Sequence, residues 1–302
     1  MRILITGGTG LIGQALIQEL IQLDHQIVLF TRTKSCAKHR FSTPTPQLES
    51  IVDNIDDIDF NKLDAIINLA GEPIVNKRWT EKQKQILCES RWQLTAKLTD
   101  KILAADIPPH TLISGSAIGI YGRQGERNVD ENFDDFYPEF SSILCEEWET
   151  IALKAQTEKT RVCLLRTGIV LAEKGGALAK MLPAFRLGLG GPIGNGQQVM
   201  SWIHIQDMVN VILFLLNNAE LNGPFNATAP KPVSNKVFSK ILASELHRPC
   251  IFKVPEFVLK LAMGEMSDLL IYGQHVYPKR LLDAGFQFRY LDLNQALKNV
   301  LA

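Results

Sequence analysis

Short apolar runs bounded by polar and turn residues recur through the first half of the chain, at Arg2–Thr6, Ile27–Thr31, Ile51–Asp53, Ala65–Ala70, Thr111–Ser116 and Arg161–Thr167. Runs that are apolar throughout, instead of alternating, predict strands covered on both faces, as in a parallel sheet. Between them the period changes to that of a helix. Leu16, Leu20 and Leu23 share one face of Leu11–Leu23. Thr80 to Ile107 contains neither Gly nor Pro, and Thr80 with Gln83 forms a capping box, so one long helix is predicted there. This alternation predicts an α/β fold of Rossmann type, a doubly wound parallel sheet.

The rhythm breaks after Gly168. A glycine-rich passage, Gly188–Gly196, precedes a predicted helix near Gln206–Asn217, and Pro230-Lys231-Pro232 reads as a linker. Helices follow from Asn235 to about Leu246, after Pro255, and over Leu293–Leu301. The expected organisation is a domain over residues 1–230, with a substrate-side loop near 174–202, and a smaller C-terminal module over 231–302.

Composition narrows the function classes. The chain has 302 residues with 32 acidic and 32 basic side chains, so its net charge of zero argues against a nucleic-acid surface. No apolar run reaches the roughly 18 residues of a membrane span, and the chain opens directly in a strand. No membrane partner and a cytoplasmic location are therefore expected. The five cysteines, Cys36, Cys88, Cys145, Cys163 and Cys250, are scattered and never spaced CxxC, which favours reduced thiols and no metal site.

The first turn carries the strongest chemistry. Gly7, Gly10 and Gly13 sit between the first strand and the first helix, where a glycine loop lets a pyrophosphate approach free N–H groups at a helix N-terminus. A carboxylate about 20 residues later would bind the ribose of NAD, yet no Asp or Glu lies between Asp24 and Glu49. The second strand instead runs into Arg32 and Lys34, followed by Lys38, His39 and Arg40. A guanidinium forks onto a 2′-phosphate, so NADP(H) is the expected cofactor, with a solvated basic loop as the alternative.

The glycine loop, Asn68-Leu69-Ala70-Gly71, and Ser114-Gly115-Ser116 leading to Tyr121-Gly122 resemble the extended short-chain dehydrogenase/reductase superfamily, which holds nucleotide-sugar epimerases. The runs Leu69–Ile74, Arg78-Trp79-Thr80, Ser90-Arg91, Leu165–Gly168, Ser201–His204 and Gly264-Glu265-Met266 are similar to an atypical branch labelled "epimerase family protein". The resemblance covers essentially the whole chain, including a C-terminal region of the branch's own. It implies that Gly7, Thr9, Gly10, Leu11, Ile12 and Gly13 surround the pyrophosphate and Thr31 and Arg32 the 2′-phosphate. Leu69, Ala70, Gly71 and Glu72 would line the ribose side. Ser114, Thr167 and Gly168 would face the nicotinamide, with the Gly188–Gly196 loop and Trp202 as walls of a substrate pocket.

The chain also departs from that pattern. The superfamily's Tyr-x-x-x-Lys pair is missing: none of the five tyrosines has a lysine four residues on, and the matching helix begins Phe140-Ser141-Ser142-Ile143-Leu144-Cys145. Arg91 stands where an asparagine relay is usual, either as a cation for an anionic group or as a surface arginine paired with neighbouring glutamates. The candidate catalytic residues are Ser116, Tyr121 and Arg91, with Ser116 read as a carbonyl-binding group or a loop serine. His204 near Asp207 and Cys145 are weaker candidates, each with a structural alternative. Two readings stand: an NADP(H)-dependent oxidoreductase or epimerase acting on a small carbonyl or nucleotide-sugar-like substrate, or an NADP(H)-binding sensor or scaffold without turnover. The oligomeric state, monomer or homodimer, stays open.

Overall fold

The computed structural model describes residues 1–41 and 45–302. Seven strands form one all-parallel sheet: β1 (Arg2–Thr6), β2 (Gln26–Phe30), β3 (Leu48–Val52), β4 (Ala65–Asn68), β5 (Thr111–Ala117), β6 (Arg161–Thr167) and β7 (Gly223–Ala227). Their spatial order is β7-β6-β5-β4-β1-β2-β3. In register, Ile3 pairs with Ile27 on one side and Ala65 on the other. The order reverses between β1 and β4, the position at which open parallel sheets leave a ligand crevice beyond their carboxyl ends.

Alternation along each strand feeds two cores. Ile3 and Ile5 turn toward α1 (Leu11–Gln22) and α6 (Ile205–Asn217), packing with Leu16, Ile17, Leu20, Met208 and Ile212. Leu4 and Ile66 turn the other way, against Leu98 and Ile102 of α3 (Glu81–Ala104) and Ala152 of α4 (Phe140–Leu153). Fully burying such a side chain contributes roughly 1.5–3 kcal/mol. Of the capping box predicted for α3 only the N-cap half forms, with the Gln83 N–H donated to Thr80 Oγ1 at 3.2 Å, while the Thr80 N–H is donated to the Arg78 carbonyl at 3.0 Å instead of to the Gln83 side chain.

A third core crosses the expected boundary near residue 230. Leu171, Leu178 and Trp202 pack with Phe238 and Leu242 of α7 (Asn235–Glu245) and with Tyr290 and Leu297 beside or within α9 (Leu293–Leu301), while α5 (Gly176–Arg186) adds Leu182 and Phe185. The C-terminal residues thus share their core with the loop region before them. Trp202 is fully buried in that core, which corrects its expected place in a pocket wall. The basic stretch after β2 is also not a loop: Lys34–Arg40 forms a seven-residue helix, α2. Its one buried residue, Ala37, joins the first core, an anchor too slight to show as periodicity.

Candidate functional site

The crevice at the β1–β4 reversal is a cleft of about 830 Å³. Gly7, Thr9, Gly10, Thr31, Arg32, Leu69, Ala70 and Gly71 line it together with Asn54 and Ile55 after β3 and Ser90 and Leu94 of α3. Gly7 adopts φ +70°, and a Cβ there would fall 2.5 Å from the Leu69 carbonyl carbon, so only glycine holds the loop this close to β4. A Cβ on Gly10 would meet only the Gly7 oxygen, at 3.1 Å, which leaves its side toward the cleft open. Helix α1 has no side-chain N-cap bond and no acid in its first turn. Its first N–H groups are available to an anion.

The rest of the predicted loop supports this cradle from behind. Gly13 packs on the Gly7 carbonyl, Ile12 lies against the first core, and Leu11 touches the backbone of Gly175 and Gly176. Beneath the crevice a polar chain ties β1 to β4 and two helices: Thr6 Oγ1 donates to Asn68 Oδ1 (2.6 Å), and Asn68 Nδ2 and Trp148 Nε1 both donate to Thr95 Oγ1 (2.9 Å each). The floor of the cleft is thereby fixed by four buried hydrogen-bonding side chains, each satisfied.

Charge at the mouth is uneven. Arg32 is 77% exposed, and its ion pair among the described residues is a long 3.8 Å contact with Glu72. Lys34 is held by Asp53 at 2.7 Å, and Arg40 Nη1 donates to the Thr9 carbonyl at 3.0 Å. Of these cations, Arg32 has the most freedom to meet a ligand. Asn54, Ile55, Ser90 and Leu94 escaped the sequence reading. The legible signal for the first two was the end of the third strand, because ligands lie off strand C-termini.

One strand further along the sheet, the expected catalytic residues are sequestered. Ser116 Oγ donates to Glu149 Oε1 at 2.6 Å, and Glu149 takes a bidentate pair from Arg166, with Nε to Oε1 at 2.9 Å and Nη2 to Oε2 at 2.8 Å. Arg166 Nη1 donates to the Tyr121 hydroxyl at 3.0 Å, and that hydroxyl donates to Asn226 Oδ1 at 2.7 Å. Every member of this chain is buried, Tyr121 completely. Burial pushes the Tyr121 phenol up to about 12, against the opposing pull of the Arg166 charge. With its proton donated to Asn226 and an Arg166 N–H accepted, this fully buried phenol has the geometry of a buttress and not of a proton donor. Ser116 likewise has its proton committed to a buried carboxylate.

The other expected positions fall as follows. Arg91 donates to the Leu87 carbonyl (2.9 Å) and the Glu72 carbonyl (3.0 Å), and its guanidinium lies 5.3 Å from the Trp148 ring centroid. It packs so tightly behind Gly71 that a Cβ there would sit 2.9 Å from its Cζ. Burial lowers its pKa from the usual arginine value. Arg91 is therefore neither surface-paired with Glu81 or Glu89 nor lining the cleft; it stands one backbone layer behind it. Ser114 is fully buried on β5, Thr167 Oγ1 donates to the Leu165 carbonyl at 3.1 Å, and Gly168 is wedged against the Ser201 carbonyl. Cys145 is a buried thiol pushed up to about 12 by burial. His204 caps α6, with Nδ1 accepting the Gln206 N–H at 3.0 Å and the ring stacked on Tyr290 at 3.7 Å. Asp207 takes the Arg289 and Tyr290 N–H groups instead of pairing with His204. Trp79 and Phe140 meet edge to face at 4.9 Å where the superfamily pattern has its tyrosine helix begin. Among the described residues no group of three or more metal-ligating side chains comes together.

Residues 3–227 match the family model described as the NAD dependent epimerase/dehydratase family, and residues 254–300 match a domain of unknown function, DUF1731. The chain is 39% identical over 306 residues to the epimerase family protein SDR39U1 homolog, chloroplastic, of Arabidopsis thaliana, covering all of this chain and 87% of that relative. It is 37% identical to the epimerase family protein YfhF of Bacillus subtilis, over all of this chain and 98% of that one. Among solved structures it is similar to human epimerase family protein SDR39U1 (isoform 2), determined with NADPH: 33% identity, 99% of each chain covered, TM-score 0.90.

Proposed function

Since the chain belongs to the NAD dependent epimerase/dehydratase family, we propose that it is an NADP(H)-dependent oxidoreductase or epimerase acting on a small carbonyl or nucleotide-sugar-like substrate. The observation that carries this reading is the cleft at the β1–β4 reversal: a glycine cradle with open N–H groups at one end and the exposed Arg32, with no carboxylate closing β2, at the other. The residues present fit the cofactor. First-turn N–H groups of α1 would hold the pyrophosphate, Thr31 and Arg32 the 2′-phosphate, and Leu69–Gly71 the ribose side. The human relative, solved with NADPH, supports the same choice of nucleotide.

The nicotinamide, once bound, supplies the hydride acceptor or donor. The chain's own contribution at that end is positional and electrostatic. Arg91, behind Gly71, places a fixed positive charge beside the inner end of the cleft, at the position where the superfamily pattern has an asparagine. Ser116 keeps β5 registered to α4 through Glu149. The same sequestration of Ser116 and Tyr121 favours a second reading, an NADP(H)-binding sensor or scaffold without turnover, since losing a positioned general acid typically forfeits about 10²–10⁴-fold in rate.

Calorimetric titration of nucleotide-stripped protein with NADPH, NADP⁺ and NADH, repeated on Arg32→Ala, tests the cofactor assignment. NADPH should bind at least about tenfold tighter than NADH, worth about 1.4 kcal/mol, and Arg32→Ala should erase the difference. Equal affinity for the two reduced nucleotides would sink the assignment. A carbonyl and nucleotide-sugar screen at saturating NADPH then separates the enzyme from the scaffold.

A further inference from the structure

Helix α8 (Glu256–Met263) buries none of its residues, although it reads Glu-Phe-Val-Leu-Lys-Leu-Ala-Met. Phe257 and Leu261, one turn apart, are 70% and 78% exposed. The neighbouring surface repeats the pattern: Leu187, Leu189, Ile251, Phe252 and Val258 are all exposed. These side chains belong to one patch because the loops that bear them run side by side. Arg248 Nε donates to the Arg186 carbonyl, Val254 N to the Pro192 carbonyl and Gly194 N to the Val254 carbonyl. Seven exposed apolar side chains on adjoining segments exceed the singly scattered ones of an ordinary monomer surface.

Charge around the patch narrows what it meets. The segments 186–194 and 248–261 carry Arg186, Arg248, Lys253 and Lys260 against the single carboxylate of Glu256, in a chain whose net charge is zero. Arg186 is paired with Glu173 at 3.2 Å, whereas Lys253 and Lys260 are exposed. A second copy docked through this patch by a two-fold axis would bring together two surfaces of the same net positive charge. An apolar surface rimmed by cations is complementary to a layer that is apolar within and anionic at its face.

We propose that this face of the protein lies on anionic lipid membranes, with Phe257, Leu261, Ile251 and Leu187 entering the headgroup–acyl boundary and Lys253, Lys260 and Arg248 meeting the headgroups. The attachment is interfacial. Among the described residues no helix is long and apolar enough to cross a bilayer, and none is needed for this contact. The cofactor cleft is formed by other segments, 7–10, 30–32, 53–56 and 69–101, so the proposal stands apart from the assignment of NADP(H).

Co-sedimentation with vesicles tests it. The 302-residue chain should partition onto vesicles of equal parts phosphatidylcholine and phosphatidylglycerol, less onto phosphatidylcholine alone, and the difference should shrink as salt rises. The double variant Phe257→Glu, Leu261→Glu should lose at least tenfold of the binding, and Lys253→Ala and Lys260→Ala about fivefold each. All four positions are exposed, and circular dichroism with the NADPH titration verifies that each variant is folded. Failure of the wild type to bind the mixed vesicles overturns the proposal, as does binding that the double variant leaves unchanged. A concentration-dependent dimer in analytical ultracentrifugation, abolished by the same double variant and accompanied by no vesicle binding, assigns the patch to a second copy and also overturns it.

Discussion

At the β1–β4 crevice the first-turn N–H groups of α1 and the guanidinium of Arg32 face the cleft with few protein partners, while one strand over, at β5 and β6, Ser116, Glu149, Arg166, Tyr121 and Asn226 bond to one another. Both regions lie along the same edge of the same sheet, and both are rich in polar groups. They differ in where the hydrogen bonds go. The first region keeps its donors for a ligand, as an anion site must. The second closes its donors and acceptors into a buried network, which rigidifies a core and leaves nothing for a substrate. The presence of a serine or a phenol near a strand end therefore says less than the identity of its partner.

Breaking the closed region should have the largest effect. Arg166→Met removes both guanidinium bonds to Glu149 and leaves that carboxylate buried without its cation, so we expect a loss of about 3–5 kcal/mol in a urea-unfolding experiment. NADPH affinity of the protein that remains folded should hold. A loss under about 1 kcal/mol would show that water reaches Glu149 and that the network is open after all.

His204, buried outside that network at the start of α6 and stacked on Tyr290, provides a second, pH-dependent probe of a closed interior. Burial lowers its pKa to about 4, against an ordinary value near 6.5, so the unfolded state takes up the proton first as pH falls. Its contribution is present in full above pH 6.5 and is lost between there and about pH 4, with a slope of up to about 1.4 kcal/mol per pH unit. A His204→Gln variant should flatten that limb of the stability profile. An unchanged slope in the variant would assign the acid sensitivity to other groups.

Tyr121→Phe has a smaller effect and asks a sharper question. It leaves one Arg166 N–H and the Asn226 oxygen without their partner, an expected cost of about 1–3 kcal/mol. A buttressing tyrosine predicts that this stability loss is the whole phenotype, with unfolding midpoints lowered and cofactor binding and any turnover per folded molecule retained. Turnover that collapses while stability holds would return Tyr121 to the role of acid.

Much of the binding half could be read from the residues themselves. Six apolar runs located six of the seven sheet strands, and the glycines with Arg32 located the cleft, because local spacing and backbone geometry decide those features. The weaker signals were the ones set by distant partners. Strand β7 reads Gly-Pro-Phe-Asn-Ala, in which Gly, Pro and Asn are all poor strand formers, and it pairs in register along β6. Trp202 looked like a pocket wall until its packing with Phe238 and Tyr290 was visible. Asn226, 105 residues from Tyr121, carries no mark in the sequence that it will take the phenolic proton. The closed network is built wholly from such long-range contacts, so the sequence shows Ser116 and Tyr121 as catalytic candidates and does not mark Glu149, Arg166 and Asn226 as their partners.

The open side can be sharpened by its smallest expected effect. Lys34 lies two residues beyond Arg32 and carries the same charge, so a reading based on local charge density would give the two equal weight in selecting a 2′-phosphate. The geometry does not: Lys34 is held at 2.7 Å by Asp53, so the pair is close to neutral toward the cleft, whereas among the described residues the ion pair of Arg32 is the long 3.8 Å contact with Glu72. Lys34→Ala should therefore change the NADPH-over-NADH preference by less than about threefold, the scale of an exposed and screened ion pair, against the tenfold loss expected for Arg32→Ala. The double variant Lys34→Ala, Asp53→Ala should lie close to the single one. If Lys34→Ala instead matched Arg32→Ala, the Lys34–Asp53 pair would have to open on binding, and the cation nearest the phosphate would be chosen by the ligand and not by the fold.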